Sequence, residues 1–134
     1  AIAQEAAKPV RVINAEAFRL FDHSGKLRAT LDAAPDGGVW LAFGNKEGKV
    51  RIRLGIEPNG AATLDLKDEK AQSHATIFVS PAGNPSLLLL DKARMGGALL
   101  GEGNVPISQV VTEERSAGSL VLMNKEGKIA WRSP

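Results

Sequence analysis

Apolar and polar residues alternate along most of this chain, and the alternation keeps restarting. Leu27, Ala29 and Leu31 interleave with Lys26, Arg28 and Thr30, the period-2 signature of a strand with one buried face. The same pattern returns with Val50, Ile52, Leu54 and Ile56 against Arg51, Arg53 and Glu57. It returns again with Ala75, Ile77 and Val79 against His74, Thr76 and Ser80, and weakens to Gly96, Ala98 and Leu100. A second set of strands obeys the same rule through Leu20, Leu41 with Phe43, Leu64 with Leu66, Leu87 with Leu89, and Leu120 with Leu122. A slip of one residue would turn every one of these side chains to the other face, so the register is well specified.

The restarts are periodic. Asp22, Asn45, Asp68 and Asp91 stand 23 residues apart, and Pro35-Asp36-Gly37, Pro58-Asn59-Gly60 and Pro81-Ala82-Gly83 follow at the same spacing. Asp22-His23-Ser24-Gly25-Lys26, Asn45-Lys46-Glu47-Gly48-Lys49 and Asn124-Lys125-Glu126-Gly127-Lys128 are related turn segments. In these an Asx side chain accepts a backbone N–H two residues on, and Gly supplies a positive φ, as in a type I turn followed by a Gly bulge. In the other series Pro sets φ at the first central position and Gly takes the left-handed one. Such short turns join sequential antiparallel strands, two per 23-residue hairpin unit.

The expected fold is therefore all-β, an antiparallel meander of ten or eleven strands. Closing it into a barrel, complete or nearly so, buries the apolar face and removes exposed edges. A two-layer sandwich, or a sheet completed by other chains of an oligomer, buries it equally well. The period fails within Gly101–Ser119, where Asp91 to Asn124 is 33 residues, ten more than one unit. Val105–Val111 reads as a further strand, favoured by its β-branched residues, or Pro106–Ala117 as a short helix. Thr112–Ser119 reads as an extended loop, the least repeat-like segment.

The sequence is 134 residues with 43% hydrophobic and 4% aromatic residues and no Tyr, which suits one domain with its own core. Residues 1–9 read as a flexible N-terminal segment and 10–134 as a single repetitive β domain. The Ala-rich start fits the sequence after a cleaved export signal, a linker or a trimmed end. Export is favoured, so the expected localisation is periplasmic or extracellular, with the cytoplasm as the alternative. The absence of Cys fits either. Net charge is +2, and residues 1–67 carry 10 basic and 8 acidic groups against 7 and 7 in the remainder. Neither half is charged strongly enough to imply nucleic acid, and no apolar run is long enough to insert in a membrane.

The stretch Phe18-x-Leu20-x-Asp22-x-x-Gly25-Lys26-x-Arg28-Ala29-x-Leu31, followed by Asp36-Gly37, resembles a repeat in uncharacterised bacterial proteins, many apparently exported or membrane-anchored. The likeness covers residues 16–100 and again 120–131, and departs at Ala71-Gln72 and Arg94-Met95, where Gly-Lys would stand. Its motifs are turn and core residues, so the resemblance implies fold rather than activity and carries over no catalytic residue.

Candidate chemistry is sparse. His23 and His74 lack the companions a transition-metal site needs and read as exposed. The Asx ladder gives one carboxylate or amide per turn, too few for calcium, and reads as turn capping. No Ser sits in a Gly-x-Ser-x-Gly elbow, and Glu113-Glu114 lies in a segment with no implied apolar pocket. The expectation is a protein that is not an enzyme, with no cofactor and no metal. Arg19, Lys26, Arg28, Lys49, Arg51 and Arg53 form an outward basic stripe without interleaved aromatics, a solvated face rather than a nucleic-acid surface. Outward Trp40, Phe78 and Phe21, with Leu88 and Leu90, are the candidates for an interface with an unknown protein or with a second copy in a homo-oligomer. Gly96, with Ser73 expected inward, gives the one hint of a ligand cavity. The sequence thus favours a non-catalytic structural or protein-interaction module of a bacterial cell envelope. A small apolar-ligand carrier in a β-barrel and a self-assembling adhesin or fibre segment are the alternatives.

Overall fold

The computed structural model describes residues 12–101, 103–106, 112–115 and 118–133. The proposed N-terminal segment 1–9 lies outside the described residues. Twelve strands form, and among the described residues there is no helix: β1 (Ala17–Phe21), β2 (Leu27–Ala33), β3 (Val39–Gly44), β4 (Val50–Ile56), β5 (Ala62–Lys67), β6 (Ser73–Val79), β7 (Pro85–Leu90), β8 (Gly97–Gly101), β9 (Gly103–Pro106), β10 (Thr112–Arg115), β11 (Leu120–Met123) and β12 (Ile129–Arg132). Ten of them make one antiparallel meander in the order β1 to β8, then β11 and β12, while β9 and β10 pair as a separate hairpin.

The turns behave as their residues dictate. Gly25 N–H donates to Asp22 O at 2.9 Å and Asp22 N–H to Lys26 O at 2.9 Å, while Asp22 Oδ1 accepts the N–H groups of Ser24 and Lys26 at 2.9 and 3.1 Å. Asn45, Asp68 and Asn124 repeat the arrangement. The Pro-led turns close in the same way, with Gly37 N–H on Ala34 O at 3.0 Å. Gly37, Gly60 and Gly83 all have φ near +90°, at 91°, 87° and 89°. Where the third and fourth units lack Gly, the left-handed conformation persists on a side chain-bearing residue, Ala71 at φ 63° and Arg94 at φ 60°.

Four hairpins carry a bulge at their Asx-turn end. The pairing steps from Leu20↔Ala29 to Phe21↔Leu27, from Phe43↔Ile52 to Gly44↔Val50, from Leu66↔Ala75 to Lys67↔Ser73, and from Leu122↔Trp131 to Met123↔Ile129. The extra residues are Arg28, Arg51, His74 and Ala130. Three of them reach a backbone carbonyl 16 residues on: Arg28 Nε–Gly44 O at 3.1 Å, Arg51 Nε–Lys67 O at 2.7 Å, and His74 Nδ1–Leu90 O at 3.3 Å. Each of these three side chains therefore ties its own strand to the end of the next one, β2 to β3, β4 to β5 and β6 to β7.

The sheet does not close into a barrel. β1 and β12 are its two edges, each paired on one side only. The physical reason is the register. Phe18, Leu31, Leu41, Leu54, Leu64, Ile77, Leu87, Leu100 and Leu120 are directly opposed from each strand to the next. The rows of side chains thus run level across the sheet, whereas a barrel needs a cumulative stagger. Among the described residues a two-layer sandwich does not form either: ten strands make one sheet, and side chains of its apolar face such as Leu20, Leu54 and Ile77 are exposed.

The insert resolves as a hairpin. Thr112–Arg115 pairs with Gly103–Pro106, so part of the expected loop is strand, and a continuous helix over Pro106–Ala117 is excluded by the strand at Thr112–Arg115. Residues 107–111 lie outside the described residues. β8 still pairs with β11 through Leu100↔Leu120, so the main sheet continues past the insert in register.

Candidate functional site: one apolar sheet face

Directly opposed residues of antiparallel strands share a face. The level register therefore gathers the alternating apolar residues into continuous rungs. One is the nine-residue row from Phe18 to Leu120 above. A second runs Leu20, Ala29, Phe43, Ile52, Leu66, Ala75, Leu89, Ala98, Leu122 and Trp131, across all ten strands. A shorter third joins Ala33, Val39, Ile56, Ala62, Val79 and Pro85. No charged or hydrogen-bonding side chain stands in the first two rungs except the indole of Trp131.

The side chains expected to form a core are instead exposed. Leu54 is 51% exposed, Ile77 49% and Leu20 62%. A patch of this extent is larger than monomeric proteins ordinarily leave in water. An open groove of about 260 Å³ crosses one end of it, lined by Phe18, Leu20, Ala29, Leu31 and Leu41 with parts of Arg19 and Thr30. That is below the ~300–1,000 Å³ usual for a ligand pocket, and it is not enclosed.

The opposite face is polar over most of its width, and on it Arg53 is paired with Glu57 and Lys67 with Asp65. Arg53 meets Glu57 through two contacts of 2.7 and 3.0 Å, and its guanidinium lies 4.5 Å from the Trp40 ring centre. That cation–π contact closes over Gly55, opposite Trp40 on β4, where a Cβ would stand 2.8 Å from Trp40 Cβ. Asp65 takes Lys67 Nζ at 2.8 Å, Ser73 Oγ at 2.9 Å and Thr76 Oγ1 at 3.3 Å. Burial pushes the Asp65 carboxyl up, but Lys67, Ser73 and Thr76 outweigh it and hold it below the usual range. Arg53, followed by Thr63, holds Glu57 low in the same way. Towards the far edge this face becomes apolar, and Leu99 and Val121 are buried there with Leu88, Met123 and Ile129 against them.

The predicted site residues are dispersed. Trp40 and Phe78 lie in one row of the polar face but are separated by Gly55 and Thr63. Trp40 is half-buried beneath Arg53 rather than free for a partner. Phe21 is exposed at the β1 bulge. Ser73 is not inward: the His74 bulge places it on the polar face with Asp65 and Lys67. Gly96 is buried in the turn before β8, where its O accepts Asp91 N–H at 2.8 Å and a Cβ would come within 2.7 Å of Asn124 O. Neither Ser73 nor Gly96 lines the groove.

His74 departs from the exposed residue its sequence context suggests. It is half-buried, with Nε2 3.1 Å from Asp68 Oδ2 and Nδ1 on Leu90 O. Both ring nitrogens face acceptors, so the protonated imidazole is favoured. The Asp68 carboxylate is the main cause of its raised pKa, with burial opposing. Asp68 in turn is held at about 2, first by the Gln72 N–H and then by His74 and the Lys70 N–H. Asp22, bonded first to Ser24 and then to the Lys26 N–H, also sits at about 2. The pair was visible in the sequence as a spacing: Asp68 precedes His74 by six, as Asp22 precedes Arg28, with which it forms an ion pair at 3.5 Å. Among the described residues, no three His, Asp or Glu side chains stand together in a way that could hold a metal ion. No helix long and apolar enough to cross a membrane is present among those residues.

No protein-family model matches the chain, and no curated protein sequence matches it.

Proposed function

We propose that this protein is a non-catalytic structural or protein-interaction module of a bacterial cell envelope, in the periplasm or outside the cell, and that its working surface is the apolar face of the ten-stranded sheet. One observation carries this reading: the level apolar rungs run across the whole sheet, and among the described residues no layer covers them. A surface of that kind is costly to leave in water, so the chain is complete only when something apolar lies against it. The polar face, where Arg53 is paired with Glu57 and Lys67 with Asp65, faces solvent. The resemblance to repeats of exported bacterial proteins supports the envelope setting. The ligand-carrier reading has less support, because the groove beside Phe18 is shallow and open.

The test is titration of the full chain with anilinonaphthalene sulfonate, a dye that brightens on apolar surfaces, alongside its mass by light scattering. The expected result is either dye binding that Leu54→Glu and Leu64→Glu abolish, or a face hidden because the chain is associated. A monomer that binds no dye at any dilution would overturn the proposal, since its apolar face would then be covered from within.

A further inference from the structure

The structure assigns the occupant of the apolar face: a second copy of the same chain, packed face to face so that two single-layer sheets make one sandwich. This rests on the interaction reading above and names its partner.

Size is the first argument. Ten strands at ~4.8 Å spacing span about 43 Å, and the rungs occupy roughly 20 Å along the strands, giving a footprint of about 900 Å². A stable protein–protein interface needs about 800 Å² from each partner, so one copy supplies what one other copy requires.

Shape is the second. Two sheets with the same right-handed twist pack well with their strands aligned within about 30° at a separation of ~10 Å. A two-fold axis along the strands between β5 and β6 sets each strand over its counterpart from the opposite edge. Within the ten-strand rung, Leu66 then lies over Ala75 of the other copy, Phe43 over Ala98, and Leu122 over Ala29. Three of the five pairs in this rung thus set a large residue over a small one, which lets the two layers interdigitate there, while Ile52 over Leu89 and Leu20 over Trp131 set large over large. The contact is self-complementary, as a two-fold interface must be.

Charge and chemistry dispose of the other occupants. The rungs bring no charges together, and the net charge of +2 per chain offers little repulsion. A lipid bilayer is a poor host, because the open edges of β1 and β12 would leave backbone N–H and C=O groups unpaired in hydrocarbon. Three copies arranged as a prism would leave a hollow centre, since walls ~43 Å wide stand much further apart than the ~10 Å that side chains fill.

The experiment uses the full chain in two measurements. Light scattering over a dilution series is expected to give a dimer. Leu54→Glu, which sets a charge in the middle of the interface, is expected to weaken it on the order of 10²–10³-fold while the β circular dichroism is retained. The second measurement does not depend on a disruptive variant. The chain has no Cys, so Arg19→Cys carries a unique spin label on the solvent face of β1. The proposed axis puts the two β1 strands at opposite edges, and the labels are expected roughly 45–50 Å apart, from the strand spacing and sheet separation. A monomer that still binds anilinonaphthalene sulfonate would overturn the second copy while leaving the interaction reading intact. A trimer, or a filament growing from its edges, would also overturn it. Labels roughly 20–25 Å apart would mean each strand lies over itself, and would overturn the two-fold axis between β5 and β6.

Discussion

Ala71→Gly is expected to stabilise the protein, and the turns supply their own calibration. Ala71 holds φ 63° in the position that Gly25, Gly48 and Gly127 fill at 78°, 83° and 76°. Its backbone is committed to that conformation, with its N–H on Asp68 O at 3.0 Å, matching Gly48 on Asn45 O at 2.9 Å. An L-residue in the left-handed region costs about 1–2 kcal/mol. Glycine removes that cost but gives the unfolded chain more freedom, worth about 0.4–1 kcal/mol in the other direction. The net gain is about 0.5–1 kcal/mol from those two terms. Gly48→Ala is the converse. A Cβ at Gly48 meets nothing within 4 Å, so that substitution reads the backbone term without a clash. Urea unfolding at one fixed protein concentration is the assay. With slopes of about 1–3 kcal/mol/M, the midpoints should move by roughly 0.2–1 M, upward for Ala71→Gly and downward for Gly48→Ala. Should Ala71→Gly leave the midpoint unchanged or lower it, with the slope unaltered, the strain assigned to this turn does not exist.

The same assay followed against pH tests the His74–Asp68 pair. Asp68, held at about 2 in the fold, contributes stability above its unfolded value of about 3.9 that is lost as pH falls towards 2. His74, raised in the fold, contributes stability below its unfolded value of about 6.5 that is lost as pH rises through the raised one. Stability should therefore fall off on both sides of that window, and His74→Gln should flatten the alkaline side. Thr30→Val should stabilise by about 0.5–1 kcal/mol in thermal unfolding, because Thr30 Oγ1 is buried without a hydrogen-bond partner and the swap keeps the β-branch. Arg53→Lys should destabilise by about 1 kcal/mol, since a lysine loses the two-contact grip on Glu57 and much of the stacking on Trp40.

The local structure was legible because it is written in short-range chemistry. Asp22, Asn45, Asp68 and Asn124 fix their turns with side-chain oxygens, and the alternation from Leu27 to Leu100 fixes which residues share a face. The architecture was not legible to the same degree. Alternation says that Leu54 and Leu64 lie on the same side, but not whether anything lies over them. Closure depends on stagger, which is a sum over all hairpins, and no single turn reveals that Phe18 and Leu120 end on one level row. The bulges hid smaller facts. An extra residue at His74 swings Ser73 to the polar face, and nothing in the apolar pattern announces it. The Asp68–His74 contact is written in a six-residue offset that it shares with Asp22 and Arg28.

The level register has a consequence for how such a chain changes length. Each 23-residue unit adds two strands, an even number, so gaining or losing a whole unit returns every remaining side chain to its own face. The width of the sheet is thus graduated like a ruler, in steps of about 9.6 Å set by the strand spacing. The hairpin β9–β10 marks the complementary freedom: extra chain that pairs with itself does not disturb the scale, as Leu100 opposite Leu120 attests. Two sheets of unequal unit number would leave apolar margin uncovered. Under the proposed pairing of two copies, counting units would make chains of one length prefer their own kind.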